Sequence, residues 1–344
     1  MPGGRIAIVG AGMAGLTCAT ALELAAAELT VFEAGFQPGG RMACQRQDGY
    51  EFDSGLPYFS AADERFRLAL DYWREEGLVA AWEGWFVDLE HGNFLRREQA
   101  APWFVGLPNM AALARHLASL CRVECGVRVA RLERLESGWG LSDAAGRSLG
   151  AFDQVLLALP PGPAGALLSG VHDAWAERLE ACADTRTWVL MLGFDRRQDL
   201  FFDAAYVSDS PINWMVRNNS KPGRGGRESW VLEATPEWTR RFAHLAPEEV
   251  GARLFRAMQE ATGIRLDAPE VRVLRAWAPG RAIGVLGEPC LYDPERGLGL
   301  CGDWCLGTTV EAAFLSGLAL GEAVELAVER AIEFLQDDLL PSGE

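Results

Sequence analysis

The chain opens with a short unbroken apolar run, Ile6-Ala7-Ile8-Val9, the pattern of a strand buried on both faces. A glycine-punctuated turn follows, then a helix-length segment of Ala, Leu, Glu and Thr. A second β-rich run, Leu29 to Phe32, ends at Glu33. Residues 61 to 80 predict an amphipathic helix with Phe66, Leu70 and Trp73 on one face. Residues 82 to 103 are aromatic and carry no clear period. Pro108 to Leu120 predicts a helix, and strand-like runs follow at Val123 to Leu135, Gly138 to Ser142 and Phe152 to Leu159. From about Ser169 the character changes. Thr187 to Phe194 (TWVLMLGF) predicts a buried strand. Tyr206 to Arg217 and Ser229 to Thr235 predict two more, separated by the loop NNSKPGRGG, and Pro247 to Ala261 predicts a helix. A last buried strand, Leu298 to Cys301, leads through a turn into a long small-residue helix holding Gly317 and Gly321. No internal repeat or low-complexity tract interrupts this order.

The first of these turns carries recognisable chemistry. Gly10, Gly12 and Gly15 form GxGxxG between strand and helix. Gly10 permits the tight turn, Gly12 lets a pyrophosphate approach the backbone, and Gly15 lets the helix pack close to the sheet. The helix start presents unpaired N–H groups and a positive dipole end to phosphates. Glu33, at the end of the second strand, is placed to accept hydrogen bonds from the two ribose hydroxyls of an adenosine, and its charge repels a 2′-phosphate. The glycines alone are weak. Strand, glycines, helix, second strand and acid together predict an adenine dinucleotide site.

Composition narrows the partners. The chain has 344 residues, room for two domains, and a net charge of −16. That charge argues against a nucleic-acid surface or an anionic membrane. No apolar run is long enough to span a bilayer and no signal peptide precedes the first strand, so a cytoplasmic location is expected. The eight cysteines, Cys18, Cys44, Cys121, Cys125, Cys182, Cys290, Cys301 and Cys305, lack the paired spacing or histidines of a zinc site, and no metal is expected. Lys221 is the one lysine.

After Glu33 comes a second glycine element. Gly40 allows close backbone approach, and Arg41 can pair with phosphate. Asp53-Ser54-Gly55 marks a turn, and Pro57-Tyr58-Phe59 is a rigid aromatic step. A purely nicotinamide-dependent enzyme has no need of a second glycine–arginine element here. GGRM at residues 39 to 42, DSGLPYFSA at residues 53 to 61, YVSDSPINWMVRNNSKPGRG at residues 206 to 225, TPEWTRRF at residues 235 to 242 and the Gly302-Asp303 element resemble the renalases in their bacterial form. More broadly they resemble the flavin amine oxidase superfamily. The likeness runs in order over nearly the whole chain and is thin between residues 60 and 105.

The resemblance implies non-covalent FAD and an α/β fold. A Rossmann-like FAD-binding domain would be built from residues 1–60, 106–168 and 277–334. A discontinuous second α+β substrate domain, of the p-hydroxybenzoate hydroxylase or amine oxidase kind, would take 61–105 and 169–276. It extends the cofactor-contacting set to Met13, Ala14, Ala34, Met42, Gly55, Leu56, Pro57, Tyr58 and Trp277. A strand holding Val127 and Val129 would pass the adenine. Asp303 would bond the ribityl chain or pyrophosphate, and the helix start at Thr309 and Val310 would face the flavin's pyrimidine edge.

Three readings fit a flavin so held. Renalases oxidise 2- and 6-dihydro isomers of NAD(P)H by hydride transfer to flavin N5, and O2 (giving hydrogen peroxide) or another acceptor reoxidises the flavin. No substrate proton is removed, so positioning suffices. Amine oxidation is the second reading; such enzymes commonly use a lysine near N5 and an aromatic cage. Trp214, Trp277, Trp304 and Tyr58 are cage candidates that serve equally as core. The third is a non-catalytic or desaturase-like flavoprotein. Asn213 and Asn218 suit a carboxamide or a turn, and Trp214 a flat ring. Arg217 and Arg224 suit phosphates or solvent. His244 is placed near the flavin by the family-like segment before it, or is merely structural. Cys290, Cys301 and Cys305 carry no mark of a covalent flavin link.

Overall fold

The computed structural model describes residues 4–23, 28–182, 184–280 and 282–339; residues 24–27, at the end of the predicted first helix, lie outside them. The chain divides into two compact units: Met1–Gly40 with Ala114–Ala183 and Ala282–Glu344, and Arg41–Leu113 with Asp184–Arg281.

The first unit is built on a six-stranded sheet in the order Leu291–Asp293, Leu298–Leu300, Gln154–Leu157, Arg5–Val9, Glu28–Glu33, Val123–Cys125. Every neighbouring pair is parallel except the first. Arg5–Val9 and its neighbours are buried on both faces, which is why they read as continuous apolar runs and not as alternation. The helix Met13–Leu22 crosses from the first strand to the second, giving the Rossmann-like unit that the sequence predicts. The C-terminal helix Val310–Leu339 packs on it with almost no side chain between. A Cβ on Gly317 would stand 2.1 Å from the Ala14 carbonyl oxygen, and one on Gly321 2.6 Å from the Ala21 Cβ. Arg131–Arg134, Trp139–Ser142 and Ser148–Phe152 form a separate antiparallel sheet whose Trp139, Leu141 and Phe152 share a core with Val155, Leu298 and Trp304.

The second unit is a seven-stranded sheet in the order Val271–Trp277, Thr187–Phe194, Glu228–Ala234, Ile212–Arg217, Ala204–Val207, Phe86–Glu90, Asn93–Arg96. One face packs on the helix Pro247–Thr262. Leu190, Leu192, Trp230 and Leu232 meet its Val250, Leu254 and Met258. Residues 82 to 103, which show no period, hold two of these strands. They are too short for a period to emerge and are joined by a two-residue turn with positive φ at His91 and Gly92.

The boundaries between units differ from those expected: residues 41–60, 106–113 and 277–280 pack in the second unit, and residues 169–182 in the first. The hairpin Cys44–Gln47/Tyr50–Asp53 is anchored there because Asp53 bonds to Met110, Lys221 and Arg224. No helix among the described residues is long and apolar enough to cross a membrane. No group of three His, Cys, Asp or Glu among them is placed to hold a metal ion.

Candidate functional site

In the first unit the three motif glycines have three different geometries. Gly10 has φ +111°, and a Cβ there would lie 2.4 Å from the Ala158 carbonyl oxygen. A Cβ on Gly15 would lie 2.0 Å from the Gly10 carbonyl oxygen, so helix and strand approach backbone to backbone. Gly12 is the reverse case, with nothing within 4 Å of its Cβ direction. It precedes the helix Met13–Leu22 and offers no side-chain cap, leaving the leading amides without a side-chain acceptor. Open approach to uncapped amides at a positive dipole end fits a pyrophosphate.

Glu33 stands beside this turn. Its carboxylate accepts from Ala11 N at 2.9 Å and Gly35 N at 2.6 Å, and each oxygen keeps a lone pair for a further donor. Ala34 leads into a loop zipped to the 126–127 segment by Gly126 N donating to Gly35 O (2.8 Å) and Val127 N to Glu33 O (2.9 Å). Val127 and Val129 lie in the connection after the strand Val123–Cys125 and not in a strand, because Gly126 at φ +76° ends the ladder. Gly39 N donates to Ala11 O at 2.8 Å, drawing Gly40 alongside the turn. At the far end of the sequence, a Cβ on Gly302 would lie 2.2 Å from Trp304 Nε1. Buried Asp303 closes the turn by accepting from Gly307 N at 2.7 Å. Thr309 Oγ1 accepts from Ala312 N at 3.0 Å and caps the C-terminal helix at buried Val310. Met13 and Ala14 are buried in the first helix.

The remaining expected cofactor residues converge within the second unit. Leu56 N donates to Arg41 O at 2.8 Å, Ser54 N to Ala43 O at 3.0 Å, Arg41 Nη1 to Gly280 O at 3.2 Å and Trp277 Nε1 to Ser54 O at 2.7 Å. A Cβ on Gly55 would collide with the Arg41 carbonyl oxygen at 1.8 Å. Met42 and Pro57 are buried against this knot, and Leu56 is half-buried. The segment Ser54–Tyr58 is thereby fixed to Trp277 of one edge strand at its start. At its end the Tyr58 hydroxyl bonds the hydroxyl of Tyr206, on a strand beyond the centre of the sheet. Tyr58 also stacks on Trp103 with centroids 3.7 Å apart, and Arg97 lies over the Tyr206 ring.

Beneath this lies a buried ion cluster that the sequence does not announce. Asp53 Oδ2 accepts from Lys221 Nζ at 2.9 Å and from Arg224 Nη2 at 2.8 Å, and its Oδ1 accepts from Met110 N at 3.0 Å. Lys221 Nζ also donates to Asn218 Oδ1 at 3.1 Å and sits over the Trp82 ring. Burial alone would raise the Asp53 carboxyl, but Lys221 and Arg224 hold it below its usual value. Burial draws Lys221 down to about 8, with Asp53 opposing. Arg224 and Asn218 are therefore tied up inside the unit and do not face a substrate.

Two more expectations are corrected. Arg217 is 2% exposed; its Nε donates to Glu228 at 3.2 Å, its Nη2 donates to Leu200 O, and the guanidinium lies over Trp230. It stabilises the sheet interior and has no reach to a solvent-borne phosphate. Trp214 is also 2% exposed, so no ring face is free for stacking. Asn213 is half-buried at a β-bulge, where its Nδ2 donates to Glu233 at 3.2 Å. His244 lies exposed in the turn between the helices Pro236–Arg241 and Pro247–Thr262. Tyr206, which bonds Tyr58, was missed; its only sequence signal is its place in an aromatic strand.

Residues 8–75 match the NAD(P)-binding Rossmann-like domain and residues 75–324 match the flavin containing amine oxidoreductase family. Over 50 residues the chain is 46% identical to the 4,4'-diapophytoene desaturase (4,4'-diaponeurosporene-forming) of Staphylococcus haemolyticus (strain JCSC1435). That stretch is 14% of this chain and only 10% of the relative's length. Among solved structures, the fold is similar to that of a protein provisionally named a protoporphyrinogen oxidase from Exiguobacterium sp. 255-15, with TM-score 0.76, 15% identity and 94% and 98% of the two chains covered. It is also similar to the cyclohexylamine oxidase of Brevibacterium oxydans IH-35A, with TM-score 0.74, 15% identity and 95% and 100% covered. At such identity the likeness is one of fold.

Proposed function

Because the chain belongs to the flavin-containing amine oxidoreductase family, we propose that it is a renalase-type oxidoreductase, oxidising 2- and 6-dihydro isomers of NAD(P)H to NAD(P)+. The observation that carries this reading is the condition of Lys221, the chain's one lysine. It is 3% exposed and committed to Asp53 and Asn218. A lysine so enclosed is not free to hold a water for proton removal from an amine. A dihydronicotinamide isomer loses only a hydride and becomes aromatic, so the protein has to position the ring and exclude water, with no base.

When bound, a flavin would supply the hydride acceptor, with O2 or another acceptor taking up the electrons. Gly10, Gly12, Gly15 and the helix start after them suit its pyrophosphate, and Glu33 its adenosine ribose. FAD held without a covalent link is supported by the thiols. Cys301 and Cys305 are fully buried, and burial pushes the Cys290 thiol up to about 11, which suppresses the reactive thiolate. The aromatic group of Tyr58, Trp103 and Tyr206 suits a flat ring.

Anaerobic mixing of the flavin-loaded protein with the two dihydro isomers, ordinary NADH and a panel of primary and secondary amines tests the reading. The isomers are expected to bleach the flavin within seconds, and NADH and amines to leave it oxidised. Bleaching by an amine at a catalytic rate, with the isomers inert, would replace it with amine oxidation.

A further inference from the structure

The strand Val271–Trp277 is the edge of the seven-stranded sheet and sends alternate side chains to opposite faces. Arg272 is in register with Leu192, and its guanidinium stands 5.3 Å from the Phe255 ring of the helix Pro247–Thr262. Arg275, three residues on, is in register with Val189 and projects from the other face. On that face a row crosses five strands through the pairs Arg275–Val189, Val189–Glu233, Glu233–Trp214 and Trp214–Tyr206.

Arg275 is half-buried, with Cζ 4.0 Å from the Trp277 ring centroid, and the bond from Trp277 Nε1 to Ser54 O fixes that ring. Among the described residues the Arg275 side chain has neither a hydrogen bond nor an ion pair. The other described arginines of this unit that are withdrawn from solvent are held: Arg217 by Glu228, Arg224 by Asp53, Arg97 by Asp88 and Arg41 by the Gly280 carbonyl. Burial lowers the Arg275 pKa, and no carboxylate opposes the shift. A partly desolvated guanidinium stacked on an indole keeps its planar fork of donors free, and that fork matches phosphate or carboxylate bidentately.

We propose that Arg275 is a substrate-binding residue that takes the phosphate of the dihydronicotinamide nucleotide. The proposal rests on the dinucleotide reading above. Val189, Glu233 and Trp214 of that row are buried, so a phosphate would reach Arg275 at the edge of the sheet, where its side chain is half-buried. The competing source of a phosphate is the cofactor. Its pyrophosphate already has the uncapped helix start at Gly12, so the free fork is assigned to the substrate.

The test compares wild type with Arg275→Met and Arg275→Lys, each purified with its flavin. Flavin content is measured first. Binding of nicotinamide mononucleotide, NAD+ and phosphate-free nicotinamide riboside is then titrated by the change in the flavin spectrum. The proposal expects full flavin content, a loss of roughly 10- to 100-fold in affinity for both phosphate-bearing ligands in Arg275→Met, a smaller loss in Arg275→Lys, and unchanged riboside binding. Equal loss for riboside, or no loss for any ligand, overturns it. Loss of flavin from Arg275→Met overturns it in favour of the cofactor's phosphate. If wild type binds none of the three ligands, the dinucleotide reading falls and this proposal with it. If wild type binds them and the variants bind as well, the proposal alone fails.

Discussion

The glycine turn of the first unit and the Asp53 cluster of the second hold their backbones by opposite means. The turn works by omission: Gly10 and Gly15 let backbone meet backbone, and Gly12 leaves space open. The cluster works by addition. A buried carboxylate gathers two cations brought 168 and 171 residues along the chain. Omission is local and shows in spacing; addition is long-range and shows only when the chain is folded. The difference also sorts roles. The turn leaves amides and an open approach for a ligand, whereas the cluster turns its cations inward onto Asp53, Asn218 and backbone carbonyls.

That contrast sets the scale of expected effects. Asp53→Asn should be the most damaging change, leaving two buried cations without a full counter-charge and destabilising the fold by about 3–5 kcal/mol. Chemical denaturation measures it, and a loss under 1 kcal/mol would mean that the cluster contributes little. Next come the glycines. Gly15→Ala forces backbone apart and should cost about 1–3 kcal/mol or more of stability as well as flavin. Gly12→Ala meets no protein atom, so its stability should stay within about 0.5 kcal/mol of wild type while flavin retention drops. Equal destabilisation by both would dissolve the distinction drawn between packing and ligand glycines. Glu33→Ala should weaken flavin retention by roughly 1.5–3 kcal/mol, seen as flavin lost on gel filtration.

Much of the first region was legible because each of its requirements is met within a few residues. The apolar run, the glycine spacing and the terminal acid at Glu33 lie in one stretch, whereas the close helix contact that Gly317 and Gly321 allow shows only in the fold. The second region was not. Lys221 looks like a solvated loop residue until Asp53 and Asn218 close around it. Arg217 and Trp214 looked like pocket residues because alternation in a strand does not say which buried face meets a ligand. The hairpin joining Gln47 to Tyr50 did carry a signal, an Asp48-Gly49 turn with positive φ at both positions, that went unread. Val127 and Val129 sat in a run with good strand propensity, but Gly126 breaks it.

The smallest effect expected is a pH signature of the cluster. Lys221 titrates near 8 when folded, against 10.5 when free. Below pH 8 both folded and unfolded chains hold its proton. Between 8 and 10.5 the unfolded chain holds more, so this group's contribution to stability rises with pH across that window. Raised thiols such as Cys290 act in the other direction above 9. The Lys221 contribution is therefore isolated as wild type minus Lys221→Met, a difference that should rise from pH 8 to 10.5; a flat or falling difference would place the titration elsewhere.

The central claim is that Lys221 is structural and that the reaction needs no base. The most direct measurement is the single-turnover rate of anaerobic flavin reduction by the faster dihydro isomer in Lys221→Met against wild type. It is made at a temperature where both remain folded with flavin bound. The account predicts rates within about threefold of each other, far short of the ~100-fold or greater contribution typical of a general acid or base. A ~100-fold or greater fall in Lys221→Met would show that the lysine takes part in the chemistry and would contradict the account.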